Sequence, residues 1–298
     1  MAVAYGDSAG AFDLHMHSVY SDGSETVEEL IASARESRLA GIAVTDHDCL
    51  RQLSSIRSAA REAGAAVLAG VEVSAMDPAT GRKLHVLAYG LEATPTGDGP
   101  LERMVDATLF ARTQLSLWQA WTIIRAGETF DGRELSLDEA IRVGSRSTGF
   151  YRQHLMEAFS HLPNADERHQ ACVKRLFKGG GIADRSIDYP AAEDAVRAIR
   201  EQGGVAVLAH PGQMDSWGAV PGLVRAGLQG IEVHHPDHTE ADVARAREVA
   251  ADYGLFASGG SDYHGAFGKP EAVGCCFIGE DEAGEAVARL FEREVLLT

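Results

Sequence analysis

Residues 12–48 read FDLHMHSVYSDGSETVEELIASARESRLAGIAVTDHD, and their rhythm decides the fold. Residues 12–16 are a short strand-like run. Residues 26–39 place Val27, Leu30, Ile31 and Ala34 at helical spacing, and the apolar, β-branched residues 42–45 read as strand again. Strand, helix and strand in so short a span predict parallel strands joined by a crossover helix.

Outward from there the pattern continues. Residues 50–63 read as helix, and residues 66–74 and 83–89 as strands. A breaker-rich linker follows, Ala93-Thr-Pro-Thr-Gly-Asp-Gly-Pro100. Residues 101–126, 136–143, 151–161 and 165–177 all read as helix with no strand between them, ending at Gly179-Gly180-Gly181. After Pro190 the alternation returns, with strands at 205–209, 230–233 and 255–258 and a further candidate at 272–278. The pattern predicts an α/β fold, a (β/α) barrel of parallel strands with helices outside. Residues 1–95 and 187–298 would form the barrel, and residues 96–186 a helical insertion that caps the substrate. Such a barrel carries its chemistry at the C-terminal ends of its strands.

Composition narrows the function. The 298 residues are 45% hydrophobic and 24% charged, as in a soluble globular protein. No apolar run is long enough to cross a bilayer, and the N-terminus does not read as a secretory signal. Cys49, Cys172, Cys275 and Cys276 make no C-x-x-C pair and no regular framework, which predicts a reduced, cytoplasmic protein. A net charge of −17 argues against a nucleic-acid polymer as partner but leaves room for a small phosphorylated substrate. Bound divalent cations would reverse the field inside a pocket.

Histidines and carboxylates recur beside the predicted strands. His15 and His17 lie two apart, hence on one face of a strand, with Asp22 in the loop beyond. Asp46-His47-Asp48 follows the apolar run 42–44; taken alone it fits a loop cap as well as a metal ligand with flanking orienters. Glu72 interrupts an apolar strand, where a buried carboxylate demands a cationic partner. His85, taken alone, reads as a satisfied core histidine rather than a ligand. His210 closes the run 205–209, and Asp262 and His264 follow the strand at 255–258. The recurrence predicts a metal site built from histidine and carboxylate without cysteine, chemistry that suits Mn²⁺, Fe²⁺ or Zn²⁺.

On these motifs the chain resembles the polymerase-and-histidinol-phosphatase (PHP) superfamily of metal-dependent phosphoesterases, over residues 12–90 and 192–277. The resemblance implies a distorted seven-stranded barrel with two to three divalent ions. One ion would be held by His15, His17, Glu72 and Asp262. A second would share Glu72 and add His85 and His210, and a third would use Asp22, His47 and His264. Glu72, Asp262 and His210 would then act at the reacting centre. Asp22 stands where some members have histidine, which implies the branch containing nucleotide 3′,5′-bisphosphate phosphatases and phosphodiesterases of phosphoribosyl cyclic phosphates. Members of that branch often carry Arg-Pro-His-Ile-Ala in the insertion. Here the region is Ser147-Thr-Gly-Phe-Tyr-Arg-Gln-His154, out of register, and Arg146, Arg152 or His154 would substitute.

The resemblance and the residues agree on hydrolysis. A divalent ion brings the pKa of a water, ~15.7 in bulk, down toward neutrality. No phosphate-binding P-loop, C-x₅-R loop or G-x-S-x-G elbow is present. The leading expectation is a phosphodiesterase opening a small cyclic phosphodiester such as 5-phosphoribosyl 1,2-cyclic phosphate, with further phosphomonoester hydrolysis. A nucleotide 3′,5′-bisphosphate phosphatase is the alternative. Arg146, Arg152, Lys178, Arg185 and Lys269 are candidate cationic contacts to the substrate, with His154 beside them, and His234, His235 or His238 a candidate proton donor to the leaving group. Two other classes compete. A metallo-amidohydrolase commonly has a carboxylated lysine, yet Lys83 is the one lysine on the ligand-bearing strands. A non-catalytic metal-binding accessory domain tends to lose ligands, and this chain retains the whole set.

Overall fold

The computed structural model describes residues 6–92, 94, 96–269 and 272–297. Residues 93 and 95 of the expected linker lie outside the described residues.

The opening unit folds as its sequence predicts. Strand β1 (Phe12–Asp13) leads to helix α1 (Val27–Glu36) and strand β2 (Gly41–Val44), which pairs parallel with β1. Helix α1 starts where it does because Thr26 Oγ1 accepts from Glu29 N while Glu29 Oε2 accepts from Thr26 N. Its buried face is Val27, Leu30, Ile31 and Ala34. Helix α2 (Leu53–Ala63) and strand β3 (Val67–Ala69) follow, with β3 parallel to β2.

The strand expected over residues 66–74 is divided at Gly70. A Cβ there would stand 2.7 Å from the Ala88 carbonyl oxygen, so the position accepts only glycine. Past this break, β4 (Val71–Asp77) joins a different sheet by pairing with β5 (Arg82–Tyr89). This pair is antiparallel, not parallel as the alternation suggested. The connection between them is a tight turn, too short for a crossover.

After β5 the chain leaves the sheets for α3 (Pro100–Arg125), the hairpin β6 (Thr129–Phe130) and β7 (Arg133–Glu134), and helices α4 (Leu137–Val143), α5 (Arg152–Ser160) and α6 (Glu167–Phe177). These elements have an apolar cluster of their own, including Ile123, Phe130, Phe159, Val173 and Phe177. The hairpin corrects the expectation of helices alone. Its signal was Asp131-Gly132, both at positive φ (50° and 79°), the backbone a two-residue hairpin turn requires.

Helix α7 (Ala192–Glu201) brings the chain back to β8 (Val205–Leu208), α8 (Pro211–Met214), α9 (Val220–Ala226), β9 (Gly230–His234), α10 (Glu240–Tyr253), β10 (Phe256–Gly259) and α11 (Glu280–Leu297), which kinks at Gly284. The candidate strand at 272–278 is absent among the described residues; Ile278 makes one isolated antiparallel bridge to Phe12. The sheets run β1-β2-β3 and β10-β9-β8-β5-β4, with β8, β9 and β10 parallel and β5 antiparallel to both neighbours. The two sheets touch at parallel bridges, Met16 to Tyr263 and His47 to Glu72. Both bridges fall among the histidine and carboxylate motifs.

A large apolar cluster packs strands against α1, α2, α7 and α10. A second joins Leu14, Leu68, Leu87 and Val207 to Val287 and Leu290 of α11. Helix α11 is also tied to α2 by a buried ion pair, Arg57 Nε to Glu294 Oε1 at 2.6 Å. No described helix is long and apolar enough to cross a membrane. Cys49, Cys172, Cys275 and Cys276 form no disulfide.

Candidate metal centre

Glu72 is the hub. It enters at the start of β4, immediately after the Gly70 break, and is 1% exposed. Its Oε2 lies 3.2 Å from His15 Nε2, 3.1 Å from His17 Nε2 and 3.2 Å from His47 Nδ1. Its Oε1 lies 2.7 Å from His85 Nδ1 and 2.9 Å from His210 Nε2. Asp262 Oδ1 adds contacts of 3.4 Å to His15 and 3.2 Å to His17. Asp22 Oδ1 faces His264 Nε2 at 3.5 Å and His17 Nδ1 at 3.8 Å.

Three groups able to hold a cation emerge: His15, His17, Glu72 and Asp262; His17, Asp22, His47 and His264; and His47, Glu72 and His85. His210 belongs beside the last, 3.3 Å from His85 Nδ1. The grouping differs from the expected ligand sets in detail: His17 faces two groups, and His47 lies nearer to Glu72 than to Asp22. Donors about 2.1 Å from one ion stand roughly 3–3.5 Å apart, so these spacings suit shared ions. The donor atoms fit a cation in another way. His17 Nδ1, Asp22 Oδ1, His47 Nδ1, Glu72 Oε2 and His210 Nδ1 are buried with no hydrogen-bond partner. Orphaned donors and acceptors at this density are costly unless a cation answers them.

The electrostatics agree for the carboxylates and His47. Against burial, Glu72, Asp22 and Asp262 hold His15, His17, His210 and His264 above the ordinary imidazole range, so that a cation would displace protons there. Burial alone would push the Glu72 carboxyl up, but His85, His15 and His47 outweigh it and hold it well below the ordinary range. Asp262 and Asp22 are likewise held low against burial, by His15 and His264 for the first and by His264 and His47 for the second. Burial holds His47 down at about 3, so it presents a neutral imidazole. Ionised carboxylates and neutral imidazole are the forms that bind metals.

Most ligands lie at strand ends, as expected of a barrel. Glu72, at the start of β4, and His85, inside antiparallel β5, do not. Asp48 (φ 48°), His210 (φ 26°) and Asp262 (φ 51°) hold left-handed backbone just past their strands, turning their side chains into the cluster or toward its support.

Of the supporting residues, Asp46 and Asp48 were expected as orienters flanking His47, whereas Glu232 and Asp13 escaped the sequence reading. Glu232, fully buried in β9, takes His15 Nδ1 at 3.1 Å and the His210 backbone N–H at 2.7 Å. Its signal was the same as that of Glu72, one carboxylate in an apolar strand. Asp13 accepts from Ser261 N and Gly274 N, each at 2.9 Å, and so fixes the loop bearing Asp262; burial lifts its pKa to about 6. Asp46 accepts from Ser18 and Ser21. Asp48 pairs with Arg112 of α3 at 2.8 Å.

Over the cluster lies a cavity of about 400 Å³. Asp22, His47, Glu72, His85, His210 and Asp262 line its metal side, and Lys83, Arg112, Arg152, Arg185, Gln153 and Tyr189 line the rest. Of the expected substrate contacts, Arg152 and Arg185 are there. Lys178, Lys269 and His235 line an adjoining cavity that also reaches Asp262 and His264. Lys269 pairs with Asp237. His235 accepts from Asp237 N at Nδ1, so its Nε2–H points at Asp262 Oδ2, 3.3 Å away.

Other expected contacts are elsewhere. Arg146 is exposed, near Glu29, and lines neither cavity. His154 is buried among Phe150, Tyr151 and Phe267, its Nδ1 accepting from Tyr151 N. His234 is turned to Glu282 and Arg247. Placing a residue near the site in sequence did not fix its facing, because α5 starts only at Arg152 and one step there rotates a side chain by about 100°.

A cluster of this kind beneath a cationic cavity, on a mixed α/β frame, defines a metal-dependent hydrolase of phosphate esters. The chain belongs to the PHP family: the PHP domain model matches residues 13–123, which run from β1 into α3. It is 45% identical over 262 residues to the phosphoribosyl 1,2-cyclic phosphate 1,2-diphosphodiesterase of Eggerthella lenta, covering 88% of this chain and 97% of that one. It is 31% identical to the 3′,5′-nucleoside bisphosphate phosphatase of Chromobacterium violaceum, covering 85% and 86%. The 5′-3′ exoribonuclease Rnm of Escherichia coli shares 25% identity, over 85% of both chains. Among solved structures, a Bifidobacterium adolescentis protein assigned as a metal-dependent phosphoesterase superposes with a TM-score of 0.79 at 26% identity, covering 97% of this chain and 98% of that one.

Proposed function

We propose that this phosphoesterase opens 5-phosphoribosyl 1,2-cyclic phosphate or a close cyclic phosphodiester and then hydrolyses the resulting phosphomonoester. The observation that carries the reading is the Glu72-centred cluster lying beside four cations, Lys83, Arg112, Arg152 and Arg185, in one cavity. A substrate with a reacting phosphate and a second, distal phosphate suits such a layout. The 45% identity to the Eggerthella lenta diphosphodiesterase supports the choice.

Two to three divalent ions, Mn²⁺, Fe²⁺ or Zn²⁺, would be held by His15, His17, Glu72 and Asp262; by Glu72, His85 and His210; and by Asp22, His47 and His264. When bound they would supply an activated water and neutralise phosphate oxygens. The chain's own residues do the rest. Glu72 and Asp262 stay ionised and hold the histidines in place. Glu232 fixes the His15 ring, since a carboxylate can only accept and Nδ1 must therefore carry the proton, leaving Nε2 to face the cluster. His235, with Nε2–H beside Asp262, is placed to hand a proton to a leaving oxygen in the adjoining cavity. Arg152 and Arg185 orient the distal phosphate.

Counting β3 and β4 as one bent strand and the two bridges as closures, the sheets read as a distorted seven-stranded barrel, with residues 96–186 as the substrate cap. The cavity walls and the acidic surface favour a small substrate over a nucleic-acid polymer, and the unbridged cysteines a cytoplasmic setting. Kinetics with Mn²⁺ on 5-phosphoribosyl 1,2-cyclic phosphate and on a nucleoside 3′,5′-bisphosphate test the reading. We expect the cyclic diester to give the higher kcat/KM; a preference for the bisphosphate selects the Chromobacterium-like alternative, and turnover of neither removes the proposal.

A further inference from the structure

The helical segment supplies none of the nine residues expected as ligands, yet it hydrogen-bonds the side chain of one of them. Gln153, in the first turn of α5, donates from Nε2 to Asp22 Oδ2 at 2.7 Å. The other oxygen, Oδ1, is buried without a hydrogen bond and faces His264 and His17. A carboxylate on a loop rotates about its last bond at little cost. Engaging one oxygen ends that freedom and presents the other to the cluster.

The neighbours of Gln153 grip the same part of the molecule. Tyr151 donates its hydroxyl to the His47 carbonyl oxygen at 2.9 Å. Ser147 Oγ donates to the Ser21 carbonyl oxygen at 2.7 Å, and Thr148 N to that of Tyr20 at 2.9 Å. Residues 147–153 therefore hold both loops that carry Asp22 and His47. The other groups have different supports: Glu232 holds His15 and the His210 backbone, and Asp13 holds the Asp262 loop.

We propose that Gln153 is a positioning residue for the third metal position, fixing the Asp22 carboxylate so that the helical segment governs whether this position fills. The inference rests on the three-ion reading given above. Gln153 also lines the substrate cavity, and a role in substrate contact alone would leave metal binding untouched.

The test is metal binding by the whole chain, independent of turnover. Metal-free protein and its Gln153→Met variant, which keeps the length and removes the N–H donors, are titrated with Mn²⁺ against a competing chelator. Bound ions are counted by elemental analysis, and circular dichroism confirms the fold. The expected result is three ions in the unaltered protein. In the variant, two ions should bind with unchanged affinity and the third about 10–100-fold more weakly, as for other residues that orient a ligand. Three ions at unaltered affinities in Gln153→Met overturn the assignment, as does an equal weakening of all three. Should Gln153→Met not fold, Gln153→Ala carries the same test: selective weakening of the third ion supports the proposal, and unchanged binding overturns it. Fewer than three ions in the unaltered protein overturns the three-ion reading itself, a failure separable from that of Gln153.

Discussion

Glu232 Oε1 lies 3.1 Å from His15 Nδ1, on the side of the ring opposite Glu72, so His15 is held between two carboxylates at once. Burial pulls the imidazole down, and Glu72, Glu232 and Asp262 together raise it well above its ordinary value. Through its other oxygen Glu232 also takes the His210 backbone N–H. One side chain thus sets two ligands on different strands. Glu232→Gln should weaken metal binding by about 10–100-fold without unfolding the chain. Chelator competition measures it, and an unchanged affinity would remove Glu232 from the support.

Glu72→Gln is the severest single change in the cluster. It keeps the shape of the side chain while removing the charge that five histidines face. Metal catalysis of this kind contributes several kcal/mol, so turnover should fall about 10³-fold or more. Circular dichroism should show the fold retained. Near-normal turnover would mean that Glu72 is not the bridge.

Metal removal should lower stability as well as activity. Without cations, buried Asp22 and Glu72 and half-buried Asp262 keep their charges close together. A ligand at a thousand times its Kd adds about 4 kcal/mol to the folded state. Thermal melts with chelator, then with Mn²⁺ restored, should differ by several degrees. Identical melts would count against a metal centre here.

The cavity separates Arg152 from Arg146. Loss of a charge-assisted contact costs about 1.5–3 kcal/mol. Arg152→Ala should therefore lower kcat/KM for the phosphoribosyl substrate by about 10–100-fold, while a small aryl phosphate, which has no distal group, changes little. Arg146→Ala should leave both near normal. Equal damage to both substrates by Arg152→Ala would place that residue at the reacting phosphate instead.

Arg57 and Glu294 form a buried pair between α2 and α11, 8% and 3% exposed. Arg57 also donates to the Leu91 carbonyl oxygen at 2.9 Å. Arg57→Ala removes the ion-pair partner of a buried carboxylate and should cost about 3–5 kcal/mol. Denaturant unfolding measures the loss, which should occur with no change in metal content.

The ligand cluster was legible because its chemistry is local: a histidine or carboxylate beside an apolar strand is odd wherever it stands. His15, His17, Glu72, His210 and Asp262 each announced themselves in this way. Glu232 carried the same mark and was passed over, since the run around it already served as a strand. The antiparallel turn of β5 was hidden because periodicity records burial and not direction. The contacts of the helical segment were hardest to foresee. Arg112 reaches Asp48 and Gln153 reaches Asp22 across more than sixty and a hundred residues of sequence, and pairing at that distance is set by tertiary packing. The placement of Arg146 and His154 outside the two cavities was hidden for the same reason.

Asp48, His210 and Asp262 all hold left-handed backbone that side chains other than glycine adopt reluctantly. Each such residue costs about 1–3 kcal/mol, and persists where the surroundings dictate it. Three unfavourable residues therefore stand at the very turns that aim the site, a trade of robustness for activity. A duplicated gene relieved of its catalytic duty would be under no such constraint. Its descendants should accumulate glycine or asparagine at these positions first, becoming sturdier as they become inert, and that drift would distinguish a retired paralogue from a working enzyme.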